Sequence, residues 1–228
     1  MNKKFIAVGI VCLLSFANIS LAENVSNVEQ SNACLEQARK FHRIADIRST
    51  ETNLNQAIKL NPNNYEAYYE FGVLETSRKN YDKAINYYSK AIKLNPQNDS
   101  YYVARSITYG FQSKLKEAID DANKAIEINP KNGPAYSILA VNYGPFGFQK
   151  EAIAYYDKAE QYDNLLQDNL FIERANLKTQ IKDYDGAIND YKKAINLLKQ
   201  NKGNQNLAKI EFYNSQIKDL EQAKKVFK

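Results

Sequence analysis

Three prolines, Pro62, Pro96 and Pro130, stand 34 residues apart, and each closes a similar phrase: KLNP, KLNP and EINP. Proline removes a backbone donor and pushes the residue before it out of helical geometry, so a helix must stop at each Asn-Pro. A chain whose helix stops recur at one fixed period cannot build a single central core. It must stack like units, each burying its apolar face against the next. Small residues keep the same step: Ala57, Ala91 and Ala125 lie five residues before their prolines, and Ala84 and Ala118 lie twelve before theirs. They recur where helices must approach closely.

The clearest unit is residues 65–98, YEAYYEFGVLETSRKNYDKAINYYSKAIKLNPQN. Ala67, Phe71, Gly72 and Leu74 mark the apolar face of one helix, and Ala84, Ile85, Tyr88, Ala91 and Ile92 recur at three- and four-residue steps on a second. Polar, turn-prone SRKNYD separates them. With Tyr68, Phe71, Gly72, Ala84, Tyr88, Ala91 and Pro96 in place, this unit resembles the tetratricopeptide repeat family.

The resemblance covers about three-quarters of the chain at that period. Residues 99–132 keep Tyr102, Tyr109, Ala118, Ala125 and Pro130, with Ser106 in place of the glycine and Ala122 in place of the second-helix aromatic. Residues 133–167 keep Tyr136, Leu139, Ala140, Tyr143, Ala152, Tyr156 and Ala159, lack the closing proline, and need one extra residue to restore register. Residues 168–201 keep Phe171, Ala175, Tyr184, Ala187, Tyr191 and Ala194. Residues 31–64 form a degenerate first repeat, with Ala38, Phe41, Ala57 and Pro62 but Thr50 and Leu54 where Ala and an aromatic belong. The implied fold is an all-α, α-α solenoid of helix-turn-helix repeats over 31–201, closed by a C-terminal capping helix within 202–228. Leu207, Ile210, Ile217, Leu220 and Phe227 form the apolar stripe of that cap.

The ends differ in kind. Lys3 and Lys4, the apolar run from Phe5 to Ala17 and Ser20-Leu21-Ala22 read as a secretory signal peptide, residues 1–22. The run is shorter than the roughly 18 residues a membrane span needs, so cleavage is expected over a retained anchor. Residues 23–30 read as a polar lead, and Ser31 or Asn32 as the cap of the first helix. Export is therefore expected, to the periplasm or beyond it. Cleavage lowers the formal net charge from +5 to +3, too small an excess to imply a nucleic-acid partner. It also leaves Cys34 as the one cysteine, either buried on the first helix or held in an intermolecular disulfide.

No catalytic, cofactor-binding or metal-ligating residue emerges. His42 is the one histidine and stands beside Arg43 without a nearby cluster of acids or thiols. The eight glycines are scattered, with no phosphate-binding loop. What the resemblance implies instead is a protein or peptide partner held on the inner curve of the first helices. Four-residue steps put Tyr69, Val73, Val103, Ile107, Phe111 and Val141 on that curve. Some family members clamp carboxylates of chaperones with Lys, Arg and Asn there, and the apolar residues here do not support that clamp. Two readings of these six stay open: they line a groove for an apolar or amphipathic segment or for self-association, or they pack between neighbouring first helices. GPFGFQ, residues 144–149, departs from the repeat. Pro145 should end its helix early, with Phe146 or Phe148 tucked back onto the array, and the loop is either decoration or a site for a small ligand or accessory chemistry.

The repeat register carries its own test: Ala91→Leu should overpack the helix contact and cost about 1–3 kcal/mol. An unchanged melting temperature for that variant would remove the register.

Overall fold

The computed structural model describes residues 25–162, 168–200 and 206–226, and among them there are helices and turns but no strand. The helices are α1 (25–43), α2 (Ile47–Leu60), α3 (Tyr65–Ser77), α4 (Tyr81–Leu94), α5 (Asp99–Phe111), α6 (Leu115–Ile128), α7 (Gly133–Tyr143), α8 (Gln149–Tyr162), α9 (Asp168–Gln180), α10 (Tyr184–Gln200) and α11 (Leu207–Val226), with a 3₁₀ turn at Gly144–Phe146. The fold is an all-α helical-repeat solenoid. The signal peptide, the 163–167 segment and Phe227 lie outside the described residues. Among the described residues no helix is long and apolar enough to cross a membrane.

The phrase Asn-Pro-x-Asn both stops one helix and starts the next. Asn61, Asn95 and Asn129 leave helical geometry while their N–H groups still donate to Ala57, Ala91 and Ala125 carbonyls at 2.9, 2.9 and 2.8 Å. Three residues later, Asn64 and Asn132 accept the N–H of Ala67 and Ala135 at 3.1 and 2.8 Å, and Asn98 accepts that of Ser100 at 3.1 Å. Each cap of this kind stabilises its helix by about 1 kcal/mol. Tyr102 and Tyr136 add a strut, donating their hydroxyls to the carbonyls of Pro96 and Pro130, both at 3.2 Å.

The turn inside each helix pair has its own rule. Ala45, Lys79, Ser113 and Lys182 hold φ between 57° and 64°, and each sits at the same place in its repeat. At Lys79 the geometry is a Schellman motif: its N–H donates to Thr76 O and that of Asn80 to Glu75 O, both at 2.9 Å. The same two bonds recur at Ala45, Ser113 and Lys182. The equivalent residue of the fourth pair is Gly147, φ 88°, which alone takes this conformation without a side-chain penalty.

The chain divides into two compact units, one ending at Thr108 and the other beginning at Tyr109. In the first, Leu35 and Ala38 of α1, Leu54 and Ala57 of α2, and Ala67, Phe71 and Leu74 of α3 form a continuous core, with Cys34 half-buried against it. A Cβ on Gly72 would stand 2.4 Å from the Tyr88 ring. Thr76 Oγ1, 3.2 Å from the Tyr88 hydroxyl and 3.3 Å from Thr108 Oγ1, holds that ring in place. In the second unit, Ala140, Ala152, Tyr156 and Leu177 pack α7, α8 and α9 together. Ala175, Ala187, Ile188, Tyr191, Ile195, Ile217 and Leu220 join α9, α10 and α11.

Several expectations are corrected. Residues 25–30 are not an irregular polar lead but the first turns of α1, where Gln30 Nε2 donates to Ser26 Oγ one turn back at 3.1 Å. Ser31 is therefore no cap. Fully buried, it donates to Ala57 O at 2.7 Å and accepts from Asn64 Nδ2 at 2.8 Å, tying α1 to the α2–α3 junction. Pro145 does end α7 at Tyr143, but Phe146 and Phe148 are not tucked away: they stay 62% and 51% exposed, the Phe148 ring only edging Tyr143 at 5.8 Å. On the cap, Ile217 and Leu220 are buried as the stripe requires, whereas Leu207 faces solvent. Tyr213 supplies the contact in its place, stacking on Tyr191 at 5.7 Å.

Because an L side chain in the left-handed region costs about 1–2 kcal/mol and glycine loses part of that gain as unfolded-state entropy, Lys79→Gly should stabilise the chain by roughly 0.5–1 kcal/mol. Urea denaturation measures it, and a lowered midpoint would contradict the strain assigned to this turn.

Candidate partner-binding site

The six residues expected on the inner curve separate into two environments. In the unit ending at Thr108, Tyr69 is half-buried. Its ring lies 5.0 Å from that of Tyr101 and 5.8 Å from that of Tyr88, so it packs between α3 and α5, and burial pushes its hydroxyl pKa up. Burial likewise pushes Tyr88 and Tyr101 up to about 12. Val73 and Val103 are half-buried, and Ile107 is exposed. Here the packing alternative describes Tyr69, while Ile107 remains open to a partner. In the unit beginning at Tyr109, Phe111 and Val141 are both exposed.

Val141 lies on a built feature. An open groove of about 480 Å³ runs between α7 and α9, floored by Tyr156 of α8. One wall is apolar, with Ala140 and Val141 of α7 and Gly144 and Pro145 of the 3₁₀ turn after it, and Leu170 and Leu177 extend that surface from α9. The rest of the α9 wall is Asn169, Glu173, Asn176 and Gln180, spaced so that they form one stripe along the helix. Tyr191 donates its hydroxyl to Asn176 Oδ1 at 2.7 Å, which engages the amide oxygen and leaves the nitrogen as the donor. Gln149 Nε2 donates to Gln180 Oε1 at 3.4 Å near the end of the groove. Burial pushes the Tyr156 hydroxyl pKa upward, and the Glu173 charge adds to the effect. Four-residue counting along this helix gives Ile172, Asn176 and Gln180; Asn176 and Gln180 do line the groove, Ile172 does not, and Asn169 and Glu173 are missed by that count.

Family models described as tetratricopeptide repeat match residues 65–98, and again 99–132 and 169–201. Solved structures agree in fold. The pilF protein of Pseudomonas aeruginosa shares 17% identity with a TM-score of 0.68, covering 86% of this chain and 93% of that one. MamA of Desulfovibrio magneticus RS-1 shares 16% with a TM-score of 0.63, covering 76% and 98%. YrrB, described as a TPR protein with an unusual peptide-binding site, shares 16% with a TM-score of 0.57, covering 72% and 84%. No curated protein sequence matches the chain. The chain is a tetratricopeptide repeat protein. Its repeats make it a scaffold for protein–protein interaction.

One interaction holds the groove-bearing helix of this tetratricopeptide repeat protein in place. Arg174 of α9 is 3% exposed and Asp190 of α10 is fully enclosed. The guanidinium donates to both Asp190 oxygens, Nε to Oδ2 at 2.8 Å and Nη2 to Oδ1 at 2.7 Å, and reaches Asp157 and Glu160 of α8 at 2.8 and 2.7 Å. Lys178 completes Asp190 at 2.8 Å, and Lys193 pairs with Glu160. Desolvation works against the ionised Glu160, yet hydrogen bonds from Lys193 and Arg174 outweigh it and hold its pKa below the usual range. Counting along the repeats, Arg174 and Asp190 occupy the places of Phe71 and Tyr87, whose rings stack at 4.8 Å and 11° in the second repeat. An ion pair stands where another repeat has an aromatic stack.

Removing one partner leaves the other charge buried alone, so Asp190→Ala should cost about 3–5 kcal/mol. Chemical denaturation should also show Arg174→Phe with Asp190→Tyr, the pairing of the second repeat, recovering at least half of that loss.

Proposed function

We propose that the protein is a non-enzymatic scaffold of the cell envelope that holds an extended segment of a partner protein on the inner faces of its first helices. The groove between α7 and α9 carries the reading: it combines an apolar wall with a row of amide side chains and one carboxylate. Apolar walls take alternate side chains of an extended segment, while amides supply a donor and an acceptor to its main chain. Exposed Ile107 offers a second apolar contact within the other unit. The likeness to YrrB, itself described as having a peptide-binding site, supports the same mode. Lys3, Lys4, the apolar run after them and Ser20-Leu21-Ala22 support export, with the periplasm as the compartment and release from the cell as the alternative.

The test is capture from a periplasmic extract by the C-terminally tagged chain, with bound proteins read by mass spectrometry. Val141→Gln should reduce capture through the α7–α9 groove, and Val73→Glu with Ile107→Glu through the α3–α5 face, each with unchanged helicity by circular dichroism. Undiminished capture by all three substitutions together would remove the inner-face reading. Light scattering on the purified chain separates self-association, which would give a dimer or larger, from a heterologous partner.

A further inference from the structure

We propose that the α7–α9 groove selects a segment carrying a basic side chain, Lys or Arg, next to an apolar one; this rests on the peptide-binding reading above and adds the partner's chemistry to it. Charge complementarity points there. Helix α7, GPAYSILAVNY, has no charged residue, so the apolar wall contributes no field of its own. Glu173 is exposed on the opposite wall and makes no ion pair among the described residues. The cations nearest it in sequence are already committed: Arg174 to Asp190, Asp157 and Glu160, and Lys178 to Asp190. Tyr156, the other ionisable group lining the groove, has its pKa pushed up and stays neutral. A single unopposed carboxylate thus faces an uncharged apolar surface, and a cation is its complement.

The dimensions fit an extended segment. Asn169 and Gln180, at the two ends of the polar stripe, are eleven residues apart, about 16 Å along the helix, which spans roughly five residues of extended chain. Asn176, fixed through its oxygen by Tyr191, presents its nitrogen as a donor to a main-chain carbonyl three residues from Glu173. Val141 and Pro145, across the groove, receive the apolar side chain. The arrangement is opposite in sign to a carboxylate clamp.

Panning the purified full chain against a phage-displayed library of random seven-residue peptides tests this, followed by fluorescence anisotropy on the selected peptides. Selected peptides should place Lys or Arg beside Leu, Ile, Val or Phe. Glu173→Gln should weaken them about two- to fivefold at low salt, with the difference shrinking as salt rises. Glu173→Lys should shift selection toward acidic peptides. Peptides that lose affinity with Val141→Gln but show no basic enrichment, or no response to Glu173→Gln, overturn the cation assignment and leave groove binding standing. Selection that yields no peptide, or peptides indifferent to Val141→Gln, overturns both.

Discussion

Among the described residues, helix packing within each unit depends on one steric condition: a small residue must sit where two helices approach closely. Ala57, Ala84, Ala91, Ala118, Ala125, Ala152, Ala159, Ala187 and Ala194 are all completely enclosed. At these sites close packing leaves no room for a methylene more, and no polar atom needs a partner. The larger residues are arranged around that condition. Gly72 meets the face of Tyr88, while Ala140 and Ala175 share their clusters with Tyr156 and Tyr191. Helix ends, turns and grooves are consequences of spacing set by these contacts.

That condition is written at a fixed period, which is why the fold was legible. Proline and alanine act locally, through a missing donor and a missing side chain, so their positions in sequence are already statements about structure. Other features were not legible because they join residues far apart. Arg174 and Asp190 are sixteen residues apart and look, in a pattern of polar and apolar positions, like two solvated charges. Only counting both against Phe71 and Tyr87 would have exposed them as a core pair. Ser31 looked like a cap because Ser is a good one, but its hydroxyl answers to Ala57 and Asn64, 26 and 33 residues on.

The candidate site was half legible for a similar reason. Stepping along first helices found the apolar stations, and Val141 and Ile107 are indeed exposed. It could not tell that Tyr69 would be taken up by Tyr88 and Tyr101, since ring packing depends on the neighbouring repeat. Nor could it weigh polar residues on α9, whose value comes from the uncharged wall they face. The extra residue of the fourth repeat does not disturb this geometry. Gly147 and Tyr162 still hold the places of Lys79 and Leu94, so the insertion falls within 163–167, after the second helix.

The exchange of Phe71 and Tyr87 for Arg174 and Asp190 also bears on how such an array can change over time. Either pair satisfies its site, but a mixed pair puts an unpaired charge against a ring in a closed space. Moving from one solution to the other by single substitutions passes through an intermediate less stable than both ends. In the third repeat the same two places are filled by Arg105 and Asp121. Once a repeat has adopted the ionic solution, each member of the pair holds the other, and the site behaves as one inherited character spread over two codons.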